Sequence, residues 1–330
     1  MNRLKNIDIL KCIGLFCIIL AHVSPPKILF QIRNFDVVLM IMVSALLFFY
    51  RYESSKENYK KYLCKRIKRL ILPTWTFLII FFTFMILFNH KFSTQKVISS
   101  FLLHDGIGYV WVIRVYLIVA CLLPFLYKLY NLSDMKKVII INITIYLIYE
   151  VLCYFKVFNY NIFLKDIIAY IIPCITIITV TYFIKNSNNK RVLNFAIVNL
   201  LIFIFIGVKI YIETETIQDT NYMKYPFRLY YLSYAFGISA ILILILRNNS
   251  IVDFLHTKLI IFISKSSLWI YLWHILFLYI FKYSNLNLSW IVKYIIIVIC
   301  SMAVVYVQNK IINKLEKTNI NKEILDIFKG

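Results

Sequence analysis

Ten apolar runs follow one another along this chain, and together they leave room for one class of fold. They cover roughly residues 8–24, 36–50, 70–88, 108–128, 138–155, 167–184, 192–211, 229–246, 266–282 and 291–310, with charged or turn-rich breaks between them. A helix of about 20 apolar residues crosses the hydrocarbon core of a bilayer. Composition agrees: 62% of the residues are hydrophobic and 16% charged, against roughly 25% charged in an average soluble domain. The expected fold is all-α: a polytopic integral membrane protein of about ten transmembrane helices, with one domain over residues 1–330. No stretch is long enough for a separate extramembrane domain. The first run has the basic flank of a signal peptide but no small-residue cleavage site, so it reads as a retained helix. No period of 20–50 residues repeats.

The formal charge is +22. In a chain of this composition such a charge belongs to loops facing anionic lipid, and no basic soluble module exists to hold a nucleic acid. With residues at span ends assigned to the nearer loop, 24 of the 37 lysines and arginines fall on one side and 11 on the other. The positive-inside rule then places both termini in the cytoplasm. The seven cysteines lie mostly inside apolar runs and form no Cys-x-x-Cys. Neither a disulfide framework nor a zinc site is indicated, and no metal is expected.

A few polar residues break the apolar pattern. Lys11 and His22 stand 11 positions apart in the first run. At 100° per residue that is three turns plus about 20°, so both lie on one helix face, separated by about 16 Å of rise. Imidazole suits proton transfer near neutral pH. The plainer readings are a helix-end histidine at the interface and a lysine that snorkels to the near surface. Asp8 lies three residues before Lys11, at ion-pair spacing.

The segment Cys64-Lys65-Arg66-Ile67-Lys68-Arg69-Leu70-Ile71-Leu72-Pro73 brings a cationic cluster to the mouth of the third span. It reads either as a positive-inside anchor or as an anion clamp. Arg66 and Arg69 are adjacent on a helix face, and guanidinium forks match phosphate oxygens. Arg114 sits well inside the fourth run, roughly 9 Å deep. A buried arginine needs a carboxylate, and Glu150 in the fifth span is the expected partner; a structural pair and an active-site role stand level. His104-Asp105 reads as an exposed loop pair without a role, and His274 as a satisfied core histidine.

In order and spacing these features resemble acyltransferase family 3, integral membrane acyltransferases that modify cell-surface polysaccharides. Lys11-x10-His22, with Asp8 before it, is similar to the family's first-helix pattern. Asn34-Phe35-Asp36-Val37 leading to Met42-Val43-Ser44 resembles its second-helix segment. Arg66-x-x-Arg69 with Pro73, Gly108-Tyr109-Val110-Trp111 through Arg114 to Pro124, and Ser267 through Tyr271 to His274 resemble its later motifs. One departure is Ala45, where many members carry glycine after the serine. Some members also have an extracytoplasmic transferase domain, which is not expected here, so the chain would complete transfer itself or hand the group to a partner.

The resemblance implies O-acylation, most simply O-acetylation, of a capsular, exopolysaccharide or lipid-linked sugar by a multi-pass plasma-membrane enzyme. Acetyl-CoA or another acyl-CoA is the implied donor, held by Arg66, Arg69 and Lys11. The catalytic residues expected are His22, Lys11 and Arg114. His22 would act as base or as acyl carrier, and Arg114 would steady the oxyanion. The rival from another class is a flippase for a polysaccharide precursor. Against it, paired glycine-interrupted helices in corresponding halves of the chain are lacking. A sensor or scaffold is the third reading.

Overall fold

The computed structural model of the protein describes residues 4–55, 58–104, 106–284, 286–317, 325 and 327–329. Among these residues every regular element is helical. Ten helices lie over the ten apolar runs: α1 (Lys5–Ala21), α3 (Asp36–Ser55), α4 (Tyr59–Leu87), α6 (Trp111–Leu132), α7 (Met135–Tyr154), α8 (Ala169–Lys185), α9 (Asn189–Thr214), α10 (Leu229–Ile245), α13 (Ser267–Tyr283) and α14 (Trp290–Leu315). Four short ones stand between them: α2 (Lys27–Ile32), α5 (Thr94–Phe101), α11 (Asn249–Leu255) and α12 (Lys258–Lys265). By length and composition seven segments qualify as membrane spans, and nine if each of two sharply bent pairs counts as one. The chain is an all-α polytopic membrane protein.

Lipid dictates which surfaces the helices show. α9 and α14 carry exposed Leu201, Phe205, Ile295 and Ile299, and only 17% of each apolar window is buried. Exposed apolar side chains cost nothing against hydrocarbon, so these helices form the lipid-facing rim. Several hydroxyls that enter the apolar segments close on their own backbone. Thr144, Thr176, Thr181 and Ser301 each donate to the carbonyl four residues earlier, which satisfies a hydroxyl without water.

At the centre α1 packs against α3, α10, α12, α13 and α14. Gly14 is the point of closest approach: a Cβ there would stand 2.6 Å from the Met40 side chain of α3. Ala45, the departure from the resembled pattern, is wholly buried. Leu4 and Lys329, near the two ends of the chain, line the same cavity, so one face of the bundle is the termini face.

Two of the boundaries that differ from those expected bear on the site. α4 starts 11 residues before the third apolar run, with Asn58 capping it through the Lys60 amide at 3.1 Å. Its first turns are the basic segment, so Arg66 and Arg69 ride on a helix that continues into the span. α6 starts at Trp111, later than the run at 108. Gly106 and Gly108 both have positive φ, at 24° and 83°. A Cβ on Gly106 would also fall 2.5 Å from the Ser100 backbone. The glycines fold the chain back under α5 before helix can begin.

Candidate functional site

A cavity of about 570 Å³ opens at the termini face between α1, α3, α4, α6, α12 and α13. Each helix presents one stripe. α1 gives Asp8, Lys11, Leu15 and Ile18, spaced three or four apart; α3 gives Met40, Val43, Ser44, Leu47 and Arg51; α4 gives Arg66, Arg69, Leu70 and Pro73. The bend of 77° between α12 and α13 turns Ser264 and Lys265 into the mouth. Among the described residues the lining holds six cationic side chains (Lys11, Arg51, Arg66, Arg69, Lys265 and Lys329) and a single carboxylate, Asp8. Lys329 is answered by Glu316, outside the cavity.

Several of these groups are fixed in place. Arg66 Nη2 donates to Ser44 Oγ at 2.8 Å, tying α4 to α3. Ser264 Oγ donates to Asp8 Oδ1 at 2.6 Å, and His256 Nε2 lies 3.0 Å from Asp8 Oδ2. Asp8 thus docks α1 on the break between α11 and α12.

The deep end of the cavity is closed by Ile18, Val112, Ile113, Tyr116 and Tyr271. His22 lies one turn beyond Ile18 on the same stripe of α1. Its ring stacks on His274 with centroids 5.6 Å apart and meets Tyr109 edge-on at 4.7 Å. The Tyr271 ring lies 4.9 Å from that of His274, and its hydroxyl donates to the Tyr109 carbonyl at 2.5 Å. A chain of ring contacts therefore runs from the cavity wall to His22. His274 is fully buried, and its Nδ1 bonds the Tyr271 carbonyl. That bond puts the proton on Nδ1 and leaves Nε2 as an acceptor. Nε2, like Tyr116 Oη, is buried with no hydrogen-bond partner among the described residues, so the satisfied core histidine expected from the sequence is satisfied on one side only.

Away from the termini face several buried or half-buried cations are matched to carboxylates. Arg33 donates to Asp36 at 2.8 Å, and Lys224 reaches Asp36 at 3.3 Å and Asn34 at 2.7 Å. All four are buried. Burial holds the Lys224 ammonium below the ordinary lysine value, while the Asp36 charge pulls the other way. This cluster acts electrostatically on His22. Arg114 does not meet Glu150. It donates to Asp166 at 2.7 Å, and His104 contacts the same carboxylate oxygen. Glu150 instead accepts from Arg228 at 3.0 Å and from the Leu229 amide at 2.6 Å. The reason is a π-helical turn, Leu164–Ile168, ahead of α8, which carries Asp166 inward from what the sequence presents as loop. Asp105 lies outside the described residues.

The structure thus brings Lys11, Arg66 and Arg69 to one cavity and places His22 just beyond its deep end. Arg114 joins a separate ion cluster. Sequence reasoning passed over Arg51 and Lys265 at the cavity, and Asp166 and Lys224 away from it. Arg51 was within reach, since it lies seven residues after Ser44 on one helix face.

Among the described residues no group of three or more His, Cys, Asp or Glu side chains is placed to hold a metal ion. The site is thus a cation-lined cavity inside a helical membrane bundle, with a histidine pair just beyond its deep end. The sequence profile of the acyltransferase domain of acyltransferase family 3 matches residues 4–308, and the chain belongs to that family of membrane acyltransferases. No curated protein and no solved structure matches it.

Proposed function

We propose that this acyltransferase moves an acetyl group from cytoplasmic acetyl-CoA to a hydroxyl of a surface polysaccharide or lipid-linked sugar, in the plasma membrane. The observation that carries the reading is the charge of the cavity: among the described residues, six cations line it against one carboxylate. Like charges gathered around one cavity repel, most strongly at the half-buried Lys11 and Arg66, and an anionic ligand relieves that repulsion. A coenzyme A thioester brings several phosphate charges, and the Arg66 and Arg69 forks suit phosphate oxygens. On this reading the termini face is cytoplasmic, in accord with the lysine and arginine bias of the loops.

Lys11 belongs with the donor contacts at the mouth, and the apolar stripe of Leu15 and Ile18 suits the pantetheine arm. The thioester then approaches His22. In direct transfer His22 takes the proton of the sugar hydroxyl as the new C–O bond forms and the C–S bond breaks, and returns that proton to the leaving thiolate. In the covalent route the acyl group rests on His22 first and the hydroxyl attacks second. Asp166 already neutralises Arg114, so Arg114 is assigned to the acceptor side and not to the oxyanion.

The test is transfer by the purified protein in lipid nanodiscs, from acetyl-CoA labelled in the acetyl group to alkali-stripped surface polysaccharide. The expected result is alkali-labile label on the polymer. Label that stays on coenzyme A would overturn the proposal.

A further inference from the structure

The geometry points to a saccharide-binding subsite for the acceptor, apart from the donor cavity and built by the start of α6, the π turn before α8 and the loop before α10. The inference rests on the acyltransferase reading and names where its acceptor is held.

Two side-chain pairs face one another. Trp111 and Arg114 are three residues apart on α6, and Asp166 and Tyr170 are four apart across the π turn into α8. Arg114 bonds Asp166 and lies over the Tyr170 ring at 5.9 Å, while Trp111 and Tyr170 stand 6.2 Å apart. Tyr225, from the loop before α10, meets Trp111 edge-on at 5.2 Å and is 55% exposed. The result is an aromatic ledge beside a fixed ion cluster.

Each part matches a feature of a sugar. The C–H faces of a pyranose pack on aromatic rings, which supply large rigid contact area beside a polar handle. Hydroxyls need directional partners, and these are present. Both contacts to Asp166 fall on Oδ2, which leaves Oδ1 to accept from a hydroxyl. The Trp111 indole N–H has no partner among the described residues and is a donor. Arg114 and His104 hold the carboxylate in place, so it is presented without rearrangement. π-turns recur where a helix must aim one functional side chain, and here the aimed side chain is Asp166.

The ledge is also joined to the reacting end. Tyr109 lies two residues before Trp111, and its ring touches that of His22. A saccharide on Trp111 and Tyr225 would extend a hydroxyl past Tyr109 toward the histidine pair. The competing account of exposed rings is an interfacial belt against lipid headgroups. A belt calls for neither the carboxylate nor the link to His22.

The experiment uses the full chain in nanodiscs with alkali-stripped surface polysaccharide as probe. Tyr225→Leu and Trp111→Leu should each raise the acceptor KM about tenfold, with kcat within about twofold and coenzyme A affinity unchanged. Trp111→Phe, which keeps a ring, should stay within about threefold of the parent KM. Without donor, the polysaccharide should shift the tryptophan fluorescence of the parent protein but not that of Trp111→Phe. An unchanged acceptor KM in both leucine variants, or altered lipid retention as their sole effect, overturns the subsite. Fluorescence-detected binding without any transfer would leave the subsite standing and remove the acyltransferase reading instead.

Discussion

The two ends of this bundle handle charge in opposite ways. Toward the termini face, six cations and one carboxylate among the described residues surround a cavity. Toward the other face, Arg33 and Lys224 share Asp36, Arg114 has Asp166 and Arg228 has Glu150. An ionised group in a low-dielectric interior must find its opposite within the protein or from a ligand. The matched face has found its partners and spends them on architecture, locking distant loops onto the span ends. At the termini face Arg51, Arg69, Lys265 and Lys329 are exposed, and on the proposed reading this surplus of positive charge meets an anion from outside. Position along the bundle alone does not separate a structural ion pair from a binding site; the balance of charge does.

The comparison breaks first at the residue between the faces. His22→Ala should lower kcat about a thousandfold, the range of a lost general base, with normal insertion and little change in donor affinity. Steady-state acetyl transfer checks it; full activity in that variant would remove His22 from the chemistry. At the matched face, Asp36→Asn removes the carboxylate that two buried cations share. It should destabilise the protein by about 3–5 kcal/mol, the usual cost of breaking a buried pair on one side. Thermal unfolding in detergent measures this, and an unchanged midpoint would mean that the cluster is not structural.

A smaller effect sharpens the other side. Ser44→Ala removes the hydroxyl that accepts from Arg66 and should raise the acetyl-CoA KM about threefold to tenfold without moving the unfolding midpoint, in line with the net worth of one ordinary hydrogen bond, about 0.5–1.5 kcal/mol. A loss of stability with unchanged KM would make that contact architecture as well.

What was legible in the sequence divides by range. The spans were, because lipid forces each crossing to be a continuous apolar helix. The Lys11–His22 stripe and the Arg66–Arg69 pair were, because helical periodicity is local and survives folding. The partner of Arg114 was not. Glu150 is the carboxylate that lies in an apolar run, whereas Asp166 is brought inward by one π-helical turn that no periodicity announces. Lys224 was invisible for another reason: it meets Asp36 across 188 residues of chain. His274 was seen but misjudged, since its burial is obvious from the pattern and its orphaned Nε2 is not.

The central claim is that Arg66 and Arg69 of the termini-face cavity hold the phosphates of an acyl-coenzyme A. Its most direct measurement is equilibrium binding of coenzyme A to the protein in nanodiscs, compared with the Arg66→Ala, Arg69→Ala double variant. Two charge-assisted contacts at about 1.5 kcal/mol or more each predict affinity at least 100-fold weaker, with the fold intact. Equal affinity in the two proteins would contradict the account.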